Sequence, residues 1–243
     1  PRAHHRESQR GGAARRRGAP LLDPAFRLHV RVRPREKAGQ RSEARPEAGA
    51  LLLERVASDR SLHNLPLEPA ATIAGRVLRT LAVPTPEGLH RLSTIGLGIA
   101  DELPNRQQTA GDPIPTAWLH RAVGLARELS NRSDGLLIHA DLHYGNILAG
   151  RREEWLAIDP RAVDGQPEYS VPELMWTRAD DLPSAGHVQR LLDVLVEAAE
   201  LDRDAALGWT VVRCVDYWLW GLEHGLTVDP VRCERILTGL LGE

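Results

Sequence analysis

The sequence contains little cysteine, lysine or methionine and no long apolar run. Its two cysteines, Cys214 and Cys233, are too few to hold 243 residues together by disulfides or to build a metal site. A reducing cytoplasm is therefore the expected compartment. No apolar run approaches the roughly 18 to 20 residues that a membrane-spanning helix needs, and the arginine-rich start lacks the apolar region of a secretory signal. We expect a soluble cytoplasmic protein that does not act in a membrane.

Lys37 is the only lysine and Met175 the only methionine. A sequence without an initiator methionine is typical of a fragment or a misassigned start. The formal net charge of -2 and the pI near 6.6 predict no general attraction to nucleic acid or anionic membranes. With 42% hydrophobic residues, the chain has enough apolar side chains for one large domain or two small ones.

Residues 1–48 differ in composition from the rest of the chain. They hold twelve arginines and Lys37 against five acidic residues, with Phe26 as the one aromatic. Residues 26–33 alternate apolar and polar side chains as a short strand does, but they stand among proline and glycine. Because such a segment has few side chains with which to build a core, we expect a disordered or aberrant leader.

After the leader, the patterns are those of a folded domain. The apolar run at 50–56 predicts a buried strand that ends in a polar turn at 57–61. Residues 135–138 predict another strand, and 146–150 with 155–159 predict a hairpin. The expected fold class is α+β, with a few strands near the middle and helices around them. The helices are predicted at 69–82, 118–129, 188–199, 205–222 and 230–241, with a loop at 104–115.

The most informative segment is a polar string between two strands. Residues 137–148 read Leu-Ile-His-Ala-Asp-Leu-His-Tyr-Gly-Asn-Ile-Leu, and residues 157–160 read Ala-Ile-Asp-Pro. Loops that follow strands on a rigid base commonly hold catalytic groups. Phosphoryl transfer needs an acid that orients the attacking hydroxyl, and ligands for the magnesium on the phosphates. Asp141, Asn146 five residues later and Asp159 eighteen residues after Asp141 supply such groups.

This combination resembles the aminoglycoside/hydroxyurea antibiotic resistance kinase family, in particular its streptomycin-kinase type, in which a His-Gly-Asp-Leu-His-x-x-Asn loop precedes an Ile-Asp-Pro. The resemblance implies an enzyme that transfers phosphate from ATP, with Mg²⁺, to a hydroxyl group. It implies Asp141 as the catalytic base and Asn146 and Asp159 as magnesium ligands. His139 and His143 would support the loop.

The resemblance extends over residues 49–240 and implies a protein-kinase-like fold. Within it, residues 49–60, with Glu54 and Val56, would form the last strand of an amino-terminal lobe and the hinge that meets adenine. Residues 61–243 would form a mainly helical carboxy-terminal lobe. The family's glycine-rich phosphate loop and strand lysine are not found in the leader, so we expect a truncated or aberrant amino-terminal lobe, caused by a frameshift or truncation.

Two positions near the motif differ from the family pattern. Ala140 replaces the glycine before the catalytic aspartate, which matters where the backbone needs a positive φ. Ser170 replaces the aspartate of a Tyr-Asp pair that helps to brace the catalytic loop, and a hydroxyl is a weaker acceptor than a carboxylate. Together with the missing lysine, these changes favour a second hypothesis, a catalytically impaired remnant or pseudokinase.

The acceptor implied by the resemblance is a small polycationic aminoglycoside such as streptomycin, whose phosphorylation would confer antibiotic resistance. Carboxylates around a cleft would attract such a cation, although single acidic residues are also typical of solvated helix surfaces. The sequence does not indicate the oligomeric state. The candidate substrate carboxylates are Asp180, Asp181, Asp216 and Glu223.

A third hypothesis is a metal-dependent hydrolase that uses His139 and His143 with Asp141 and Asp159. The two histidines have the i, i+4 spacing of helical zinc sites, but they lie in a loop after a strand and lack a third ligand at the expected spacing. Aromatic residues in the helix predicted at 205–222 are more typical of a core than of a ligand stack. These aromatic residues are Trp209, Tyr217, Trp218 and Trp220.

Overall fold

In the computed structural model, the described residues are 56–132 and 135–242, together with two short strands before them. These strands, β1 (Ala44–Arg45) and β2 (Ala50–Leu51), pair with each other in antiparallel orientation. β2 covers the start of the strand predicted at 50–56. The strand predicted at 26–33 lies outside the described residues, as do Lys37 and Glu54.

The described part of the chain mixes helices with small sheets and is mostly helical, as the α+β prediction requires. The five predicted helices are confirmed within a few residues at each end. They form because apolar side chains recur at helical spacing and are buried against neighbouring helices. The helices are α1 (Leu67–Leu81), α2 (Leu92–Thr109), α3 (Thr116–Ser130), α4 (Val171–Trp176), α5 (Ala185–Ala199), α6 (Arg203–Glu223) and α7 (Val228–Leu241).

Helix α6 lies at the centre of the helical core. It packs against α3 on one side and α4 and α7 on others, while α1 packs on α5 and α2 on α3. Trp209 in α6 is fully buried, and its indole nitrogen donates a hydrogen bond of 3.1 Å to Gln166 Oε1. No helix in the described ranges has both the length and the apolarity that crossing a membrane requires.

The loop prediction at 104–115 is wrong over its first half, because α2 continues through Pro104 to Thr109. A proline in the interior of a helix removes one backbone hydrogen bond and usually breaks the helix. Here burial outweighs that cost, since Leu92, Ile99 and Leu103 all lie in the core. Gly96 interrupts the apolar pattern of this helix, because close packing there requires glycine. A Cβ at this position would clash with Ser130 Oγ and come within 2.9 Å of Trp209.

The remaining strands form two small antiparallel sheets that flank the polar motif. One has the order β3-β5-β6, with β3 (Ala57–Ser61), β5 (Ile147–Ala149) and β6 (Trp155–Ala157). The other pairs β4 (Leu136–Ile138) with β7 (Val163–Gly165). The predicted strand at 135–138 and the predicted hairpin are therefore confirmed.

The turn predicted at 57–61 is wrong, because these residues form strand β3. Its polar side chains at 58–60 are exposed, so the segment lacks the apolar pattern of a buried strand. It is held instead by pairing with β5, with Ala57 opposite Ala149 and an irregular register before Ser61. Backbone pairing along a sheet edge does not require apolar side chains, which is why the composition was misleading.

Candidate active site

The polar motif lies in a cleft of about 580 Å³, which is lined mainly by the loop after β4, by Val163 of β7 and by residues of helices α2, α4, α6 and α7. Asp141, His143, Asn146 and Asp159 all line this cleft. Strand β4 ends at Ile138 and the hairpin begins at Ile147, so the loop between them is anchored at both ends. The structure thus brings the sequence-predicted loop residues and Asp159 into one place.

His139 ties this loop to the segment that carries Asp159. Its Nε2 lies 2.9 Å from the carbonyl oxygen of Ile158, and the backbone amide of Arg161 donates to the His139 carbonyl at 2.9 Å. Burial lowers the pKa of His139 to about 4. The ring is therefore neutral near pH 7, with the proton on Nε2 because its partner is a carbonyl, so His139 holds the loop rather than exchanging protons.

Ala140 has a φ of 54°, in the left-handed region that favours glycine. At the position where the family pattern has glycine, the loop therefore needs a backbone conformation that glycine adopts easily. In this chain an alanine adopts that conformation. Asp159 shares this feature with a φ of 58°. Strained residues of this kind concentrate at functional sites, where surrounding contacts hold them in place.

We expect Ala140→Gly to raise the free energy of unfolding by about 0.5 to 1 kcal/mol, because relief of the left-handed strain exceeds the extra chain entropy of glycine. Urea denaturation of both proteins measures this difference. Ala117→Gly, at an exposed position in α3, is the matched control and should lower stability. A loss of stability in Ala140→Gly would contradict the strain argument.

Asp141 is the carboxylate best placed to act as a base. Its side chain is 27% exposed and its Oδ2 lies 3.2 Å from Arg161 Nε. Burial raises the pKa of Asp141, while the nearby Arg161 and His143 oppose the rise. A partly desolvated carboxylate is a stronger base than one in water, and the arginine limits this rise in pKa.

Asn146 and Asp159 are brought together by the hairpin. Ile147 pairs with Ala157, and the Ile158 amide donates to the Asn146 carbonyl at 2.9 Å, so Ile158 lies opposite Asn146 and Asp159 is the next residue along that strand end. The Asn146 side-chain amide donates to the Asp141 carbonyl at 2.9 Å. This bond leaves the Asn146 Oδ1 atom for another partner, and an amide oxygen beside a carboxylate is a donor set that suits Mg²⁺.

A buried ion pair lies in the same cleft. Arg213 donates to Glu173 Oε1 at 2.6 Å and to the Tyr169 hydroxyl at 2.8 Å, and both charged side chains are less than a tenth exposed. Burial raises the pKa of Glu173 to about 7, against the opposing effect of Arg213. Burial lowers the pKa of Arg213, but Tyr169, Glu173 and Asp216 together raise it above its usual value.

Ser170 lies next to this pair on the chain. The residue is fully buried, and its hydroxyl has no hydrogen-bond partner among the described residues. The predicted weakness of the brace at this position therefore has a counterpart in the structure, since the Ser170 hydroxyl contacts no loop donor there. Ser170 directly precedes α4, and Glu173, three residues later, is the buried carboxylate of that helix.

The four predicted substrate carboxylates are all ion-paired with arginines. Arg106 binds Asp216 at 2.6 Å and Glu223 at 2.8 Å. Asp180 pairs with Arg232, which lowers the Asp180 pKa, and Asp181 pairs with Arg178. None of the four is among the described residues that line the cleft. Their contact with a substrate stays a prediction.

Several cleft residues were not anticipated from the sequence. Arg161 directly follows the Ile-Asp-Pro, so the sequence could have indicated that it lies near Asp141. Glu173, Arg213 and Asp229 had none, because they come from three different helices and meet only after packing. The predicted hinge residue Val56 is half-buried and is not among the cleft-lining residues of the described chain.

The zinc interpretation of the histidines gains no support from the geometry. The Nε2 atom of His139 is already bonded to the Ile158 carbonyl. Within the described ranges, no three His, Cys, Asp or Glu side chains are grouped so as to hold a metal ion. The helix aromatics Trp209, Trp218 and Trp220 are buried, as predicted for core residues, whereas Tyr217 is half-buried and lines the cleft.

Comparison with known proteins agrees with the motif. The family model described as aminoglycoside/hydroxyurea antibiotic resistance kinase matches residues 32–225. The streptomycin 6-kinase of Streptomyces glaucescens is 35% identical over 192 residues, which is 76% of this chain and 62% of that protein. The streptomycin 6-kinase of Streptomyces griseus is 34% identical over 187 residues, 74% of this chain and 61% of that protein.

The hydroxyurea phosphotransferase of Kitasatospora aureofaciens is 34% identical over 198 residues, 80% of this chain and 57% of that protein. The chain thus spans about three fifths of the length of these curated relatives. The family match begins within the predicted leader and covers both the cleft-lining loop and α6. This chain belongs to the aminoglycoside/hydroxyurea antibiotic resistance kinase family.

Proposed function

We propose that this chain is a kinase with a protein-kinase-like fold, which transfers the γ-phosphate of ATP to a hydroxyl group of a streptomycin-like aminoglycoside and so confers antibiotic resistance. The observation that carries the proposal is the meeting of Asp141, Asn146 and Asp159 in one cleft. Family membership and the phosphotransferase names of the relatives support the reaction class.

In this reaction Asp141 orients the acceptor hydroxyl and takes up its proton as the oxygen attacks the γ-phosphorus and ADP leaves. Asn146 Oδ1 and the Asp159 carboxylate would hold Mg²⁺. When bound, Mg²⁺ neutralises charge on the phosphates. His139 keeps the two halves of the site in register through its bond to Ile158.

The charge of the cleft favours a second candidate acceptor. Three of its four carboxylates lie beside arginines, so the attraction for a polycation is weaker than an anionic rim would give. A small uncharged acceptor of the hydroxyurea class does not depend on electrostatic attraction to the cleft. The carboxylates are Asp141, Asp159, Glu173 and Asp229, and the arginines are Arg161, Arg213 and Arg232.

The test is a transfer assay on the full chain with γ-labelled ATP, Mg²⁺ and either streptomycin or hydroxyurea as acceptor. We expect labelled acceptor to form, and removal of Mg²⁺ with EDTA to abolish it, because the charge on the phosphates then remains uncompensated. A thermal shift with Mg²⁺ and ATP reports nucleotide binding independently. A folded chain that shows neither the shift nor any transfer would support the impaired-remnant hypothesis instead.

A further inference from the structure

One side of the cleft is built by residues from three helices that the proposed chemistry does not use. We call this the acceptor wall and define it as Glu173 and Trp176 from α4, Tyr217 from α6 and Asp229 from α7. All four line the same cleft as Asp141. A group bound to the wall would therefore share the cleft with the catalytic base.

The wall is held rigid by a ladder of parallel rings. Trp176 and Tyr217 stack with centroids 4.8 Å apart, Tyr217 and Trp220 at 5.5 Å, and Trp220 and His224 at 4.2 Å. The Arg213 guanidinium lies 5.6 Å from the centroid of the Trp176 ring. Because both faces of Tyr217 are covered, its ring is not open to stack on a ligand. Its hydroxyl is fixed in position.

That hydroxyl holds Asp229. Tyr217 donates to Asp229 Oδ2 at 3.2 Å, and Arg232 Nη1 lies 3.4 Å from Oδ1. The contact with Arg232 is long because this arginine is bound mainly to Asp180, with its Nε at 2.8 Å. An ionised carboxylate has about four acceptor sites, so one site on each Asp229 oxygen remains. Its side chain is 17% exposed, which leaves it reachable from the cleft.

Glu173 provides an independent indication that this wall takes a hydrogen-bond donor. The residue is 5% exposed, and its Oε1 is paired with Arg213. Its Oε2 has no hydrogen-bond partner among the described residues. Buried polar atoms are nearly always paired, so an orphaned carboxylate oxygen in a cleft indicates a missing partner.

We propose that Asp229 determines acceptor specificity by binding, through both carboxylate oxygens, the planar N–H donor fork of a guanidinium or urea group. Streptomycin carries guanidinium groups and hydroxyurea is a urea, so the two candidate acceptors share this fork. A carboxylate and a planar fork form two parallel hydrogen bonds, which select for geometry as well as charge. The inference rests on the proposed function only in taking the bound molecule to be the phosphate acceptor.

Binding of streptomycin and of hydroxyurea to the full chain, measured by calorimetry without ATP, tests this inference. Asp229→Asn is expected to raise the Kd about tenfold to a hundredfold, because one oxygen of the fork site becomes a donor. Tyr217→Phe, which removes one of the two contacts that hold Asp229 but keeps the ring ladder, should raise the Kd by a smaller factor. Kanamycin, an aminoglycoside that carries amino groups and no guanidinium group, should bind more weakly than streptomycin.

Asp204→Asn is the matched control, because Asp204 is likewise an acidic residue in the first turn of a helix but does not line the cleft. It should bind as the unchanged chain does. The inference would be overturned if Asp229→Asn bound both ligands with the same Kd as the unchanged chain. It would also be overturned if the unchanged chain bound neither ligand. Binding that depends on Asp229 without phosphate transfer would uphold the inference and refute the proposed function.

Discussion

Asp141→Asn is expected to lower kcat for phosphate transfer by about 10² to 10⁴-fold, the range that a positioned general base contributes. Asparagine keeps the shape of the side chain but cannot accept the proton of the acceptor hydroxyl. The backbone contacts of the loop do not involve the Asp141 carboxylate, since Asn146 binds its carbonyl oxygen instead. We therefore expect the variant to fold normally.

Asp101→Asn is the control for this experiment. Asp101 also pairs with an arginine, Arg127 at 3.4 Å, but it lies in α2 and is not among the described cleft residues. Loss of an exposed pair of this kind has little effect on stability and none on proton transfer. A rate for Asp141→Asn above a tenth of the normal rate would show that another group takes the proton.

Arg213→Met is expected to lower the free energy of unfolding by about 3 to 5 kcal/mol, because it leaves a buried carboxylate without its partner. Arg213 and Glu173 are each less than a tenth exposed, so water cannot replace the lost contact. Replacing both side chains, as in Arg213→Met/Glu173→Leu, should restore much of the loss. Urea denaturation measures all three proteins.

The size of this loss should depend on pH. Burial raises the pKa of Glu173 from 4.5 to about 7, so its contribution to stability is complete below pH 4.5 and declines as the pH rises through 7. Without Arg213 the pKa rises further, because Arg213 is the main group that lowers it. The destabilisation should therefore be larger at pH 8 than at pH 5.

Arg203→Met supplies the control, since Arg203 pairs with Asp193 at 2.8 Å but both side chains are about half exposed. We expect a change below about 1 kcal/mol with little dependence on pH. If Arg213→Met were no more destabilising than Arg203→Met, the buried pair would contribute nothing to stability. If Arg213→Met failed to fold, recovery in the double variant would still test the explanation.

The helices and the hairpin could be predicted because their signals are local. Apolar residues at helical spacing in α1 and α6, and two short apolar runs around Gly150, are readable within a dozen residues. The failures share one cause. In α2 the burial of Ile99 and Leu103 overrides Pro104, and in β3 the backbone pairing with β5 overrides a polar composition. Both contacts are long-range and leave no local pattern.

The sequence by itself determined which polar side chains meet at the loop, because Asp141, Asn146 and Asp159 lie within one strand, one loop and one hairpin. Short-range geometry suffices to bring them together. Only the tertiary structure decided how the charged side chains of the cleft are paired and how burial shifts their pKa values. Glu173, Arg213 and Asp229 are far apart in the sequence, and whether a carboxylate meets an arginine or a substrate depends on how α4, α6 and α7 pack.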